Sequence, residues 1–397
     1  MPLNARLDAL GDYSFDRLRA LLLYVDPPAG LDPIALSVGE PQHAPPAFLA
    51  ETIAAEAAGW SKYPLIKGTE AARGAIATWL TRRYALPDGM IDPETMVVPV
   101  SGTREALFMI ALAAISGEKN GQKPVVLMPN PFYQVYLGAA VMAGAEPVLV
   151  PADKEYGFLP DFAGLPEEML ERAALAYYCS PANPQGAIAS LDTLKTLVEL
   201  ARAHDFLLVS DECYSELYYG DPPAGAVEAC AALGGSMENV AVMNSLSKRS
   251  SAPGLRFGFA AGAPDLIRQF ARLRDYGGAP PPLPLLAAAT ALLSDEDHVI
   301  ANRAAYAEKY VIAEDILGGR LGYYTPEGGF YLWLDVGDGE AAAKRLWGEA
   351  GVRVIPGEYL AREANGHHPG AGYIRIALVH DKNTTAEALT RLANVLC

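Results

Sequence analysis

Lys248 follows a short apolar run, residues 240–243, with serines one and three residues before it (Ser247, Ser245) and an arginine eight residues after it (Arg256). A lysine amine condenses with a carbonyl compound where its surroundings favour the neutral form. A nearby arginine and hydroxyl suit a phosphate. Ser101-Gly102-Thr103-Arg104 opens a helix-like stretch, and a glycine turn at a helix N-terminus offers backbone N–H groups and the positive end of the dipole to an anion. Asp211 closes the apolar run 206–209; a carboxylate buried there needs a partner. Arg375 stands inside Tyr373-Ile374-Arg375-Ile376-Ala377, where a planar guanidinium among apolar neighbours calls for an anion, a carboxylate above all.

These residues are spaced along alternating elements. Apolar runs at 97–100, 124–128, 147–150, 174–179, 206–209, 240–243 and 257–261 read as strands, and stretches such as 105–115 and 191–204 as helices. Strands apolar on both faces and alternating with helices predict a mainly parallel sheet covered on both sides. Ligands of such sheets sit beyond the carboxyl ends of the strands, where Ser101–Thr103, Asp211 and Ser245–Lys248 fall. After the proline cluster at 280–284, read as a stiff connector, the pattern changes to helical stretches at 283–293 and 302–317 and short strands at 330–334 and 373–378. The expected organisation is an N-terminal segment, 1–45, packing with a small α+β unit, 280–397, and a large unit, 46–279, between them.

The 397 residues are enough for two units. No apolar run reaches the ~18 residues of a membrane span, and residues 1–10 lack the basic-then-apolar order of a secretory signal. Cys179, Cys213, Cys230 and Cys397 match neither a zinc site nor a disulfide framework, which predicts a reducing compartment, the cytoplasm. The net charge of −16 argues against a nucleic-acid partner and reads as a solubilising surface. The six histidines form no ligand set, so no metal is expected.

The pattern Ser245-x-Ser247-Lys248 … Gly254-x-Arg256-x-Gly258 resembles that of the fold type I pyridoxal-phosphate aminotransferases, and further family motifs follow in order over nearly the whole chain. The resemblance implies an α/β fold, with a mainly parallel seven-stranded sheet between helices and a smaller α+β domain, and pyridoxal 5′-phosphate as cofactor. It implies that Lys248 bonds the cofactor and moves the substrate proton, and that Asp211 pairs with the pyridine nitrogen. Tyr214 and Asn183 would meet the phenolic oxygen. Tyr133, a better match than Tyr136, would stack on the ring; Gly102, Thr103 and Arg104, through backbone groups above all, would cradle the phosphate, and Ser245, Ser247 and Arg256 would help hold the cofactor. Arg375, Gly39 and Asn183 would bind the substrate carboxylate. Tyr63 would reach the phosphate in a neighbouring subunit, making a homodimer with shared sites. A lyase on the same fold stays open. A DNA-binding regulator would need a basic helix-turn-helix segment that the first 40 residues lack.

Residues 15–22, 102–108, 210–214, 245–249, 253–256 and 359–363 resemble the succinyldiaminopimelate transaminases. That implies glutamate as donor and N-succinyl-2-amino-6-oxoheptanedioate as acceptor. The stretch 276–283 departs from the subgroup in its prolines, so aspartate or alanine transamination stays open. Either polycarboxylic substrate needs a second cation, with Arg17, Arg19, Arg104, Arg249 and Lys67 as candidates.

Overall fold

Seven apolar runs pair into one sheet in the computed structural model, which describes residues 3–397. Met1 and Pro2, the start of the stretch read for a leader, lie outside the described residues. In chain order the strands are β1 (Ile34–Ala35), β2 (Val97–Val100), β3 (Val125–Asn130), β4 (Glu146–Pro151), β5 (Ala173–Cys179), β6 (Leu207–Asp211), β7 (Val240–Ser245), β8 (Gly258–Gly262), β9 (Tyr331–Asp335), β10 (Val352–Arg353), β11 (Ile355–Pro356) and β12 (Tyr373–Ala377). The large sheet runs β2-β8-β7-β6-β5-β3-β4. β8 alone runs opposite to the other six strands.

Successive side chains on a strand point to opposite faces, and both faces are dry here. Val97, Leu127, Val242 and Phe259 join one apolar cluster, while Val98, Val126, Ala241 and Ala260 join another on the opposite side. The helix Thr103–Ala114 turns Ala106, Leu107, Ile110 and Ala111 inward, a spacing that puts them on one face.

The single reversed strand has a consequence for chemistry. Val100 and Ser245, at the carboxyl ends of β2 and β7, both pair with Gly258 at the start of β8. Arg256, two residues before β8 begins, therefore arrives at the same sheet edge as Gly102 and Lys248.

A three-stranded antiparallel sheet, β11-β12-β9, forms the second layer. Ile374 and Ile376 of β12 pack with Leu332, Leu346 and Leu389, which leaves Arg375 on the opposite face. β1, from the N-terminal segment, pairs in parallel with β10 in a separate two-stranded sheet.

Two elements differ from the sequence expectation. The proline cluster does not stay a connector, because Pro284 sits in the first turn of the helix Leu283–Ser294, where a missing N–H costs nothing. That helix buries Leu286, Ala289 and Leu292 in a core of the large sheet, although it follows the prolines; being apolar on every side, its sequence carries no sign of which layer it joins. The following helix begins at Asp297 rather than at 302. Among the described residues no helix is long and apolar enough to cross a membrane, and no cluster of His, Cys, Asp and Glu could hold a metal.

Candidate active site

A cavity of about 600 Å³ opens at the carboxyl edge of the large sheet, facing β12. Lys248, Asp211, Tyr214, Ser245, Ser247, Arg256, Thr103, Arg104, Tyr133, Asn183, Gly39 and Arg375 all line it. Gly102 lies directly beside it, between Ser101 and Thr103. Tyr63 does not line it and stands fully exposed.

Lys248 rides on the short helix Leu246–Arg249, entered directly from β7. Ser245 shapes the entry: its Oγ accepts from the Ser247 N–H (3.1 Å), and its hydroxyl lies 3.0 Å from the Ser247 hydroxyl. The Lys248 amine donates to the Gly39 carbonyl (2.5 Å) and lies 5.3 Å from the Phe330 ring centre. Burial pushes its pKa below that of an ordinary lysine, against the opposing pull of Tyr331 and Cys213. A lowered pKa suits an amine that must react in its neutral form.

Asp211 is buried at the end of β6. Its Oδ2 accepts from the Tyr136 hydroxyl (2.5 Å) and its Oδ1 from the Cys213 N–H (3.3 Å). Both donors are neutral. Burial raises the carboxyl pKa, and these hydrogen bonds only partly offset the rise. A buried carboxylate that faces a cavity and has only neutral partners is a site for a cation.

Gly102 has φ +87° and caps the helix Thr103–Ala114 without a side chain, so the first N–H groups of the helix remain free donors. A Cβ on Gly102 would run into the Arg256 guanidinium. Arg256 itself donates only to a backbone carbonyl, that of Pro253 (2.9 Å). Uncapped amides and an arginine without an acid, meeting at a glycine, make a cradle of the charge and size for a phosphate.

On the opposite wall Arg375 is buried and lies 4.3 Å from the Tyr331 ring centre. It donates to Asn183 Oδ1 (3.2 Å) and the Ser37 carbonyl (2.9 Å), and its Nε has no partner. Tyr214 shares a hydrogen bond with Tyr331 between hydroxyls (3.1 Å), and burial first, then Tyr331, pushes its pKa up.

The Arg104 side chain turns away from the phosphate cradle. Its Nε donates to the Tyr133 hydroxyl (2.8 Å) and its Nη2 to that of Tyr13 (3.4 Å). Burial holds the Tyr133 phenol at about 12 despite the opposing arginine.

Sequence reasoning missed Tyr331 and the N-terminal Tyr13 and Phe15, which also line the cavity. Tyr331 was visible as the residue paired with Ala377, two places from Arg375, once the β9–β12 register is known; the register is not readable from sequence. Glu212, which had no role in the sequence, is a structural acid held by Tyr84, Ser210 and the Ala226 N–H.

An electron-withdrawing ring with a cationic nitrogen, a phosphate and a carbonyl would satisfy Asp211, the Gly102–Arg256 cradle and Lys248 at once, and pyridoxal phosphate is such a group. Comparison with known proteins points to the same cofactor. Residues 32–392 match the family described as "Aminotransferase class I and II". An LL-diaminopimelate aminotransferase of Moorella thermoacetica is 32% identical over 379 residues, covering 92% of each chain. A 4-dedimethylamino-4-oxo-anhydrotetracycline transaminase of Streptomyces rimosus is 32% identical, covering 92% of this chain and 94% of its own. Among solved structures, an aminotransferase of Neisseria meningitidis superposes with a TM-score of 0.94 at 38% identity over 100% of both chains. A "probable N-succinyldiaminopimelate aminotransferase" of Thermus thermophilus gives 0.84 at 25% identity, over 99% of this chain and 100% of that one.

Proposed function

The chain belongs to the class I and II aminotransferases, pyridoxal-phosphate enzymes, and from that premise we propose that it moves the amino group of glutamate to N-succinyl-2-amino-6-oxoheptanedioate, in the diaminopimelate route to lysine. The observation that carries a polycarboxylic substrate is a pair of arginines in one cavity, Arg375 and Arg104, neither with an acidic partner.

The other candidates for the second cation are spent elsewhere. Arg17 pairs with Glu358 (3.4 Å) and lies over the Tyr359 ring, and Arg19 pairs with Asp16 (2.8 Å) at the surface. Arg249 is buried against Glu296 (2.7 Å), and Lys67 is exposed outside the cavity. Arg104 alone of the five both lines the cavity and bonds only phenols. A second reading has diaminopimelate itself as the substrate; the names of relatives such as those of Moorella thermoacetica and Aquifex aeolicus favour it.

Bound pyridoxal phosphate supplies a carbonyl that captures the amine and a protonated pyridine ring that takes up the electron pair left by the α-proton. The chain does the rest. Arg375 and Asn183 orient the α-carboxylate, and Gly39 offers its backbone beside them. Lys248 Nζ, as a neutral amine, would take the α-proton and return it one position further on. Asp211 keeps the ring nitrogen protonated, with Tyr136 holding the carboxylate in place. Tyr214 would donate to the phenolic oxygen, Tyr133 would cover the ring, and Thr103, Ser245, Ser247 and Arg256 would hold the phosphate end beside the Gly102 turn.

Arg104→Met is expected to lower kcat/KM for glutamate and the succinylated acceptor by roughly 10–100-fold, the worth of charge-assisted hydrogen bonds, and to lower that for alanine far less. An equal loss for both donors would contradict a distal-carboxylate role. Assaying the wild-type protein with the succinylated acceptor and with diaminopimelate as amino donor separates the two substrate readings, and release of pyruvate and ammonia from cystathionine would point to the lyase.

We further infer a homodimer with shared sites in the cytoplasm. The inference is supported by Tyr63, Leu65, Trp60 and Tyr276, large apolar side chains left exposed, and by four unpaired cysteines. Light scattering should give twice the chain mass; a single-chain mass would refute the dimer.

A further inference from the structure

We propose that Asn302 is a positioning residue for Lys248: it fastens the turn that carries the reacting amine to the layer that carries Arg375. This rests on Lys248 being the reacting amine.

Lys248 and Arg249 end a helix of a single turn, and the last carbonyls of a helix have no partner within it. Buried, they would be costly. Asn302 meets both from a distant helix: its Nδ2 donates to the Lys248 carbonyl (3.0 Å) and to the Arg249 carbonyl (3.2 Å). Its Oδ1 accepts from the Ser251 hydroxyl (3.0 Å) and is 3.1 Å from His43 Nδ1. A side-chain amide has two donor hydrogens and two acceptor lone pairs, and all four are used. Turning the amide over would set its oxygen against two carbonyls, so the orientation is fixed by chemistry. An amide oxygen only accepts, so His43 must carry its proton on Nδ1. Burial, with Lys309 next, lowers the His43 pKa, and the neutral ring it favours keeps that proton on Nδ1.

The four contacts close a circuit around the lysine. His43 lies four residues from Gly39, whose carbonyl accepts from the Lys248 amine. The amine end of Lys248 and its backbone end are thus both tied to the segment 39–43, one directly and one through Asn302. Asn302 sits near the start of the helix Asp297–Leu317, whose later residues Tyr310, Ala313 and Leu317 pack with Ile374 and Ile376, the neighbours of Arg375. One rigid helix therefore links the base to the strand of the carboxylate-binding arginine. A base displaced by about 1 Å can lose on the order of a hundredfold in rate.

The test uses Asn302→Leu, of similar size without polar atoms, and Asn302→Asp, which keeps the acceptors and removes both donors. In the cofactor-free protein, amide hydrogen exchange over 246–251 should quicken by about tenfold or more while the distal part of helix 297–317 stays protected. In the loaded enzyme kcat should fall roughly 10–100-fold with KM for the amino donor moving less than about threefold. The Ser251→Ala variant, which keeps both donors to the lysine turn, should lose much less than Asn302→Asp. Unchanged exchange over 246–251 with kcat within about twofold would overturn the proposal. So would loss of protection along the whole helix, or failure of both Asn302 variants to fold, since each marks a merely structural residue. The exchange readout needs no substrate, so a wrong acceptor would leave it untouched.

Discussion

Replacing Lys248 with alanine should leave a folded protein that binds pyridoxal phosphate without the covalent bond and turns over at least about 10⁴-fold more slowly, the upper range for removing a positioned general base. The fold should survive because the amine's hydrogen bond goes to one carbonyl, that of Gly39. The turn is held by groups the substitution leaves in place: the Ser245 hydroxyl, the Asn302 amide and the Leu246 carbonyl, which accepts from the Ser250 N–H. Lys248→Arg should be equally inactive, because a guanidinium stays protonated. The lowered lysine pKa also sets the sign of the pH response. The base works in its neutral form, so activity is lost as pH falls through its pKa, and burial moves that limb to lower pH than an exposed lysine would give. Single-turnover kinetics with glutamate reads both results, and near-normal turnover in Lys248→Ala would sink the mechanism.

Asp211→Asn should lower kcat by roughly 10²–10³-fold, comparable to deleting one preorganised charge-stabilising group. The carboxylate sits in a dry place with the Tyr136 hydroxyl and the Cys213 N–H for company. Its charge is therefore uncompensated until a cationic ring nitrogen meets it, and the pair is strong in low dielectric. An asparagine offers no charge to keep that proton in place. The side chains are nearly isosteric, so the cofactor should still bind and only its chemistry should weaken. Equal kcat in Asp211→Asn and the wild type would remove Asp211 from the mechanism.

What the sequence revealed and what it withheld divide along a physical line. Lys248, Ser245, Ser247 and Arg256 are neighbours in the chain, and the strand-end rule put Gly102 and Asp211 near them, so their convergence was legible. Side-chain direction was not. Arg104 reads as a phosphate ligand chiefly through its backbone, and the direction of its guanidinium, to Tyr133 and Tyr13, has no sign in the sequence, because residues of a helix's first turn diverge around its axis. Tyr136 was weighed only as a stacking ring. Its role as donor to Asp211 depends on how β3 and β6 are spaced, with β5 between them. Asn302 carried no signal at all, since its partners lie 54 and 259 residues away. The all-apolar helix Leu283–Ser294 was legible as a helix but not as a part of the large-sheet core.

The most direct test of the central claim is an absorption titration of the purified protein loaded with pyridoxal phosphate. The band of the cofactor bound to Lys248 should disappear as glutamate is added, with one 2-oxoglutarate released per site, and return when the succinylated 2-amino-6-oxo diacid is supplied. A protein that shows no such band after loading, or a band that glutamate leaves unchanged, would contradict the account.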